Sequence, residues 1–145
     1  MEEPESLTEL MTREHQRLED MLEDISVLAN QSPEKVAERF NIFRSNLEKH
    51  IFMEEKAIFR IEGPTGAEVT DAFKLLQEHG VIIGLVKKIE DSIKNREFSE
   101  MEKLMEFLDE HCNFENEVLY PNLDKKLSDD RKKEILERVN EIING

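Results

Sequence analysis

The sequence predicts an all-α protein, an up-down-up-down four-helix bundle with a short fifth helix at its C-terminal end. Three observations carry this. Apolar residues recur at three- and four-residue spacing along nearly the whole chain. The 145 residues include only 5 Gly, 4 Pro and 1 Tyr and no Trp, which suits long helices better than a turn-rich sheet. Each periodic stretch opens on a helix-start signal and closes on a turn or breaker.

Ser6 with Glu9 reads as a capping box opening the first helix, which runs to about Ala29 before the turn Asn30-Gln31-Ser32. Ser32 as N-cap and Pro33 at the first helical position open the second. The breaker Glu62-Gly63-Pro64-Thr65-Gly66 ends it. Thr65 with Glu68 opens the third helix, which ends around Asn95-Arg96. Ser99 with Glu102 caps the fourth, which Pro121 should kink or end. Ser128-Asp129-Asp130 starts the fifth, which runs to Gly145. The expected bundle covers about residues 6–127 and the C-terminal helix about 129–144, in one domain, with short connections that place neighbouring helices antiparallel.

The expected core stripes follow from the spacing. They are Leu7, Met11, Leu18, Leu22, Ile25 and Leu28 on the first helix, and Val36, Phe40, Phe43, Leu47, Ile51 and Ile58 on the second. Val69, Phe73, Leu76, Ile83 and Val86 form the third stripe, and Met101, Leu104, Leu108, Val118 and Leu119 the fourth.

Lys and Arg total 20 against 34 Asp and Glu, a net charge of -14. A chain this acidic is repelled by phosphate backbones and anionic bilayers, so neither nucleic acid nor membrane is an expected partner. A lone cysteine, Cys112, excludes an internal disulfide. The acidic start MEEPESLTEL is unlike a signal peptide, and no apolar run nears the roughly 20 residues that span a bilayer. The expected location is cytoplasmic.

All four histidines interrupt the apolar stripes, one per bundle helix. His15 lies between Met11 and Leu18, His50 follows Leu47, His79 lies between Leu76 and Ile83, and His111 follows Leu108. Two have a Glu one turn later in the same stripe, giving His50-x-x-x-Glu54 and His111-x-x-x-Glu115, and residues four apart share a helix face; Glu19 stands at the same spacing from His15 but leans toward the polar Asp20 and Glu23 side. At about 1.5 Å per residue, His15 lies roughly 24 Å and His50 roughly 28 Å from the turn that joins their helices. His79 lies about 27 Å, His111 about 21 Å and Glu115 about 27 Å from the corresponding turn. The six groups therefore share one layer.

Core histidines satisfied by backbone or water are the alternative reading. Two carboxylates in that layer argue against it, because an unpaired buried carboxylate costs several kcal/mol and the inward stripes offer no Lys or Arg. A metal is the natural counter-charge, and six donors point to two. Mixed imidazole and carboxylate ligation suits iron, manganese or zinc. No histidine here has a Glu three residues before it, which disfavours the ferritin-like di-iron pattern.

REHQRL around His15, HIFMEEKAIF from His50, QEHGVI around His79 and HCNFENEVLYP from His111 resemble the hemerythrin family in its stand-alone HHE cation-binding form. The resemblance covers roughly residues 7 to 127. It implies His15, His50, His79 and His111 as terminal iron ligands and Glu54 and Glu115 as carboxylates bridging two irons. Two departures separate the chain from the family's oxygen carriers. Leu75 and Ile83 stand one turn either side of His79, so a fifth histidine is missing. Asn116 stands where the carriers have Asp. The set looks more like that of six-ligand di-iron proteins, including nitrosative-stress and iron-centre-repair proteins. Two six-coordinate irons need about twelve donor positions, and this set with a bridging oxygen leaves about two open. The expected function is a non-haem di-iron protein that binds oxygen or nitric oxide for sensing, storage or stress response. The alternatives are redox or repair chemistry on nitric oxide or peroxide, a structural zinc site, or a non-metal interaction module.

Other residues receive plainer expectations. Gly80 and Gly84 admit close helix packing or open a path for a small gas, close packing being the plainer reading, and Cys112 is a small buried hydrophobe. Tyr120 is packing. Glu14, Glu19, Glu78 and Glu117 are solvated, and Glu55 is the first candidate for an outer partner of the site. The eight Phe residues are core and boundary packing.

Overall fold

The computed structural model describes residues 6–59 and 67–144, with side chains for 6–56 and 74–143. Helix α1 spans Leu7–Gln31. A 3-10 turn at Pro33–Lys35 leads into α2, Val36–Met53, which continues as a wide π turn at Glu54–Phe59. Helix α3 spans Ala67–Ile93 and α4 spans Glu100–Phe114; a second π turn at Glu115–Leu119 joins α4 to α5, Tyr120–Lys126. Helix α6 is Asp129–Asn144. No strand occurs among the described residues. Helices α1, α2, α3 and the α4–α5 rod are the four bundle members, each touching its neighbours around the ring, and α6 lies against α2 and the first π turn.

Several start signals act as expected. Ser6 Oγ accepts from the Glu9 amide at 3.1 Å, and Ser128 Oγ accepts from the Arg131 amide at 3.2 Å. The first turn of α1 also receives a long-range cap. Asp124, on α5, accepts from the amides of Leu7 and Thr8, each at 3.0 Å, and from the Thr8 hydroxyl at 2.6 Å. Those are amides a helix start leaves without an internal partner.

Ser99 is not a cap. Its backbone is already helical and its side chain makes no capping bond. The chain is instead turned by a left-handed Arg96 (φ 54°). The Arg96 amide donates to Ile93 O and the Glu97 amide to Ser92 O, the paired bonds of a Schellman stop. The breaker at residues 62–66 and the Thr65–Glu68 cap lie outside the described residues or side chains.

The stripes of α1, α2 and α4 are buried largely as expected. Four apolar positions differ. On α3 the inward residues are Leu75, Ile82, Val86, Ile89 and Ile93, whereas Leu76 and Ile83 are exposed. Both flanks of His79 carry apolar residues, at minus four and plus three or at minus three and plus four. Spacing alone does not choose between them; the helix rolls toward the flank that Ile89 and Ile93 extend. Val118 is exposed because it sits on the outside of the second π turn, and Phe52 is exposed at the end of α2. The stripe positions Ile58, Val69 and Phe73 lie outside the described side chains.

Gly80 and Gly84 do not serve close packing. A Cβ at either would meet nothing within 4 Å. Pro121 does not end the fourth rod. The π turn precedes it, the Tyr120 amide donates to Glu115 O, and the helix resumes to Lys126. Among the described residues no helix is long and apolar enough to cross a membrane.

The core has two parts. One joins Leu18, Leu22, Phe40, Phe43, Leu47, Ile82, Val86, Leu104, Leu108 and Cys112 with their neighbours. The other joins Leu7, Met11, Met53, Leu75, Leu119, Tyr120 and Leu123 with Ile135, Leu136 and Val139 of α6. On α1 and α3 the buried histidine falls between the two, and on α2 and the α4–α5 rod the buried polar residues sit where one part gives way to the other.

Candidate metal centre

That layer holds the buried polar and charged residues of the described chain: His15, His50, Glu54, His79, His111 and Glu115. The most exposed, His50, is 7% accessible, and both carboxylates are at 0%. No Lys or Arg is buried with them.

The six form two groups, His15, His50, Glu54 and Glu115, and Glu54, His79, His111 and Glu115. In each group the donor atoms lie within 4.8 Å of one another, and both groups share both carboxylates. All four imidazoles present Nε2 to the centre. His15 Nε2 is 3.0 Å from His50 Nε2 and 3.2 Å from Glu115 Oε1. Glu54 Oε1 lies 3.2 Å from His50 Nε2 and 3.3 Å from His79 Nε2, and Glu115 Oε1 lies 3.1 Å from His111 Nε2.

The outer nitrogens explain this orientation. His15 Nδ1 is 2.7 Å from Asn116 Oδ1, His79 Nδ1 is 3.2 Å from Glu55 Oε1, and His111 Nδ1 is 3.0 Å from Glu78 Oε1. An oxygen acceptor at Nδ1 keeps the ring proton on that nitrogen and leaves the Nε2 lone pair facing inward, the arrangement metal-bound histidines use. His50 Nδ1 is buried without a hydrogen-bond partner among the described residues.

Such a cluster needs positive charge. Glu54 Oε1 and Glu115 Oε1 are buried and face imidazole Nε2 atoms at 3.1–3.3 Å, which bond them only when Nε2 carries a proton. Inward lone pairs beside two carboxylates repel one another unless a proton or cation stands among them. Protons can take that place. Burial alone would lower the pKa values of His15, His79 and His111, but hydrogen bonds and charge from Glu115 or Glu54 outweigh it and raise all three. For Glu54 burial acts upward, yet the charge of His50, with hydrogen bonds from His50 and His79, holds its carboxyl well below the usual range. The donor chemistry fits a cation of the iron, manganese or zinc type.

Tyr120 belongs to this layer and not to plain packing. It is fully buried and its hydroxyl donates to Glu54 Oε2, with Glu115 Oε2 at 3.4 Å. Five residues of regular α-helix would turn Tyr120 well away from Glu115. The π turn between them restores a common face, and such turns recur at functional sites. Pro121, which has no amide to donate, was the available sequence hint.

Glu78 and Asn116 were also missed, since each serves a histidine on a different helix. Glu55 does take the outer role expected of it. Glu14 pairs with Arg17 at 3.0 Å, away from the centre. Glu19 is not simply solvated. It lines a cleft between α1 and α4 with Asp20, Glu23, Glu102, Glu106 and Asp109, where burial and then Asp109 raise its pKa. Cys112 is buried in the apolar core, where burial raises its thiol pKa.

A four-helix bundle with two buried imidazole–carboxylate groups able to hold cations is the class of protein that this fold and site define. The chain belongs to the hemerythrin family: the family model of the Hemerythrin HHE cation binding domain matches residues 6–123. No curated protein and no solved structure matches the chain significantly.

Proposed function

We propose that His15, His50, Glu54, His79, His111 and Glu115 hold two iron ions, with both carboxylates shared, and that the centre binds oxygen or nitric oxide in sensing, storage or a stress response. The observation that carries this reading is the sharing of Glu54 and Glu115 between two donor groups. A single-cation site would not need two carboxylates common to separate histidine pairs. Two irons held in this way supply a redox change and open coordination positions to a small ligand.

The protein's own part is to orient and to exclude. Asn116, Glu55 and Glu78 set three imidazoles with Nε2 inward. Tyr120 holds the carboxylates from one side. The two apolar clusters enclose the layer, so a ligand reaching it has to be small.

Metal analysis of protein from unsupplemented cells, followed by absorption spectra through anaerobic reduction and exposure to oxygen or nitric oxide, tests this. Two irons per chain with a reversible ligand band are expected. Irreversible oxidation would favour redox or repair chemistry. Zinc alone, or no spectral change with either gas, would refute the proposal.

A further inference from the structure

The two halves of the centre differ in what stands behind their histidines. Glu55 and Asn116 occupy equivalent places, each directly after the Glu of a His-x-x-x-Glu motif and each inside a π turn. Each reaches to a histidine on a neighbouring bundle helix, Glu55 to His79 and Asn116 to His15. One is a carboxylate and the other an amide. The remaining pair differs in the same direction. His111 has Glu78 at 3.0 Å, whereas His50 Nδ1 is buried with no hydrogen-bond partner among the described residues.

We propose that the two cation positions are unequal, the His79–His111 position filling first and binding more tightly than the His15–His50 position, because Glu55 and Glu78 back both of its imidazoles. This rests on the two-cation reading above. An outer carboxylate that accepts from Nδ1 makes Nε2 a stronger donor and adds negative charge near the cation. Such partners typically change metal affinity by about 10–100-fold. An amide carbonyl adds orientation without the charge. Glu55 and Glu78 remain partly exposed, at 33% and 23% of their side chains, so carrying a charge there exacts little desolvation. Glu54 and Glu115 contribute to both positions and do not create the difference.

Titration of the metal-free full chain with Zn2+ alone, against a chromophoric chelator, tests this. Two equivalents are expected to bind in steps separated by at least about 10-fold. At one equivalent, the imidazole NMR signals of His79 and His111 should move ahead of those of His15 and His50. The Glu55→Gln and Glu78→Gln variants should each weaken the tighter step by about 10-fold or more and leave the weaker step within threefold of its starting value. Circular dichroism checks that both variants fold. Two equal steps, an opposite filling order, or equal weakening of both steps would overturn the proposal while leaving two-cation binding intact. Binding of fewer than two equivalents would overturn the two-cation reading and this proposal with it.

Discussion

The Tyr120 hydroxyl stands 3.4 Å from Glu115 Oε2, five residues back along the same rod, across a π turn that brings the two onto one face. The same hydroxyl donates to Glu54, which opens the first π turn at the end of α2, so one side chain spans both shared carboxylates. Tyr120→Phe keeps the ring and removes the donor. Leaving buried carboxylate oxygens without it should cost about 1–3 kcal/mol. Urea unfolding of the metal-free protein measures the loss, and an unchanged midpoint would show the hydroxyl to be dispensable.

Proton release should accompany metal loading. In protein freed of metal, burial alone would lower the His79 pKa, but the hydrogen bond and charge of Glu54, the charge of Glu115 and the Glu55 hydrogen bond push it up to about 9. That folded value lies above the ordinary 6.5. The protonated ring therefore stabilises the metal-free fold fully below about pH 6.5, and this contribution is lost as pH rises through about 9. A cation needs the same Nε2 deprotonated. Zinc affinity should rise across that window, and calorimetry at pH 7.5 in buffers of different ionisation heat should register released protons. A proton count of zero would contradict this.

Asp124 ties the start of α1 to α5 by three hydrogen bonds. Asp124→Ala should destabilise the chain by about 1–2 kcal/mol, in the range of a lost helix cap. Zinc stoichiometry should stay at the parent value, since Asp124 touches none of the six donors. Lost metal capacity in a folded variant would show that the cap also positions the centre.

Gly80 and Gly84 lie inside α3 with open space where a Cβ would go. Replacing either with Ala should stabilise the helix by about 1 kcal/mol. For a chain of this length the thermal midpoint should rise by about 2–4 °C per substitution. A fall in the midpoint would reveal a packing role for the glycines that the structure does not display.

Much of the centre was legible before any coordinates because the signal was local and chemical. A histidine in an apolar stripe, with a Glu one turn on in the same stripe in two cases, requires no knowledge of neighbours to be noticed. Depth along the helices then placed all six residues in one layer. The choice between the two apolar flanks of His79 was not legible, because Leu75 with Ile82 and Leu76 with Ile83 are equally hydrophobic. Tyr120 was not legible because counting at 3.6 residues per turn fails across a π turn.

The sequence by itself determined an all-helical bundle, its main breaks and the six residues of the buried polar layer, since periodicity and residue chemistry act within single helices. Only the tertiary structure decided which oxygen stands behind which imidazole. Asn116, Glu55 and Glu78 each serve a histidine on another helix, and Asp124 caps α1 from 116 and 117 residues away. Those pairings depend on helix rotation and on the two π turns, which are set by packing between helices and not by the order of residues within one.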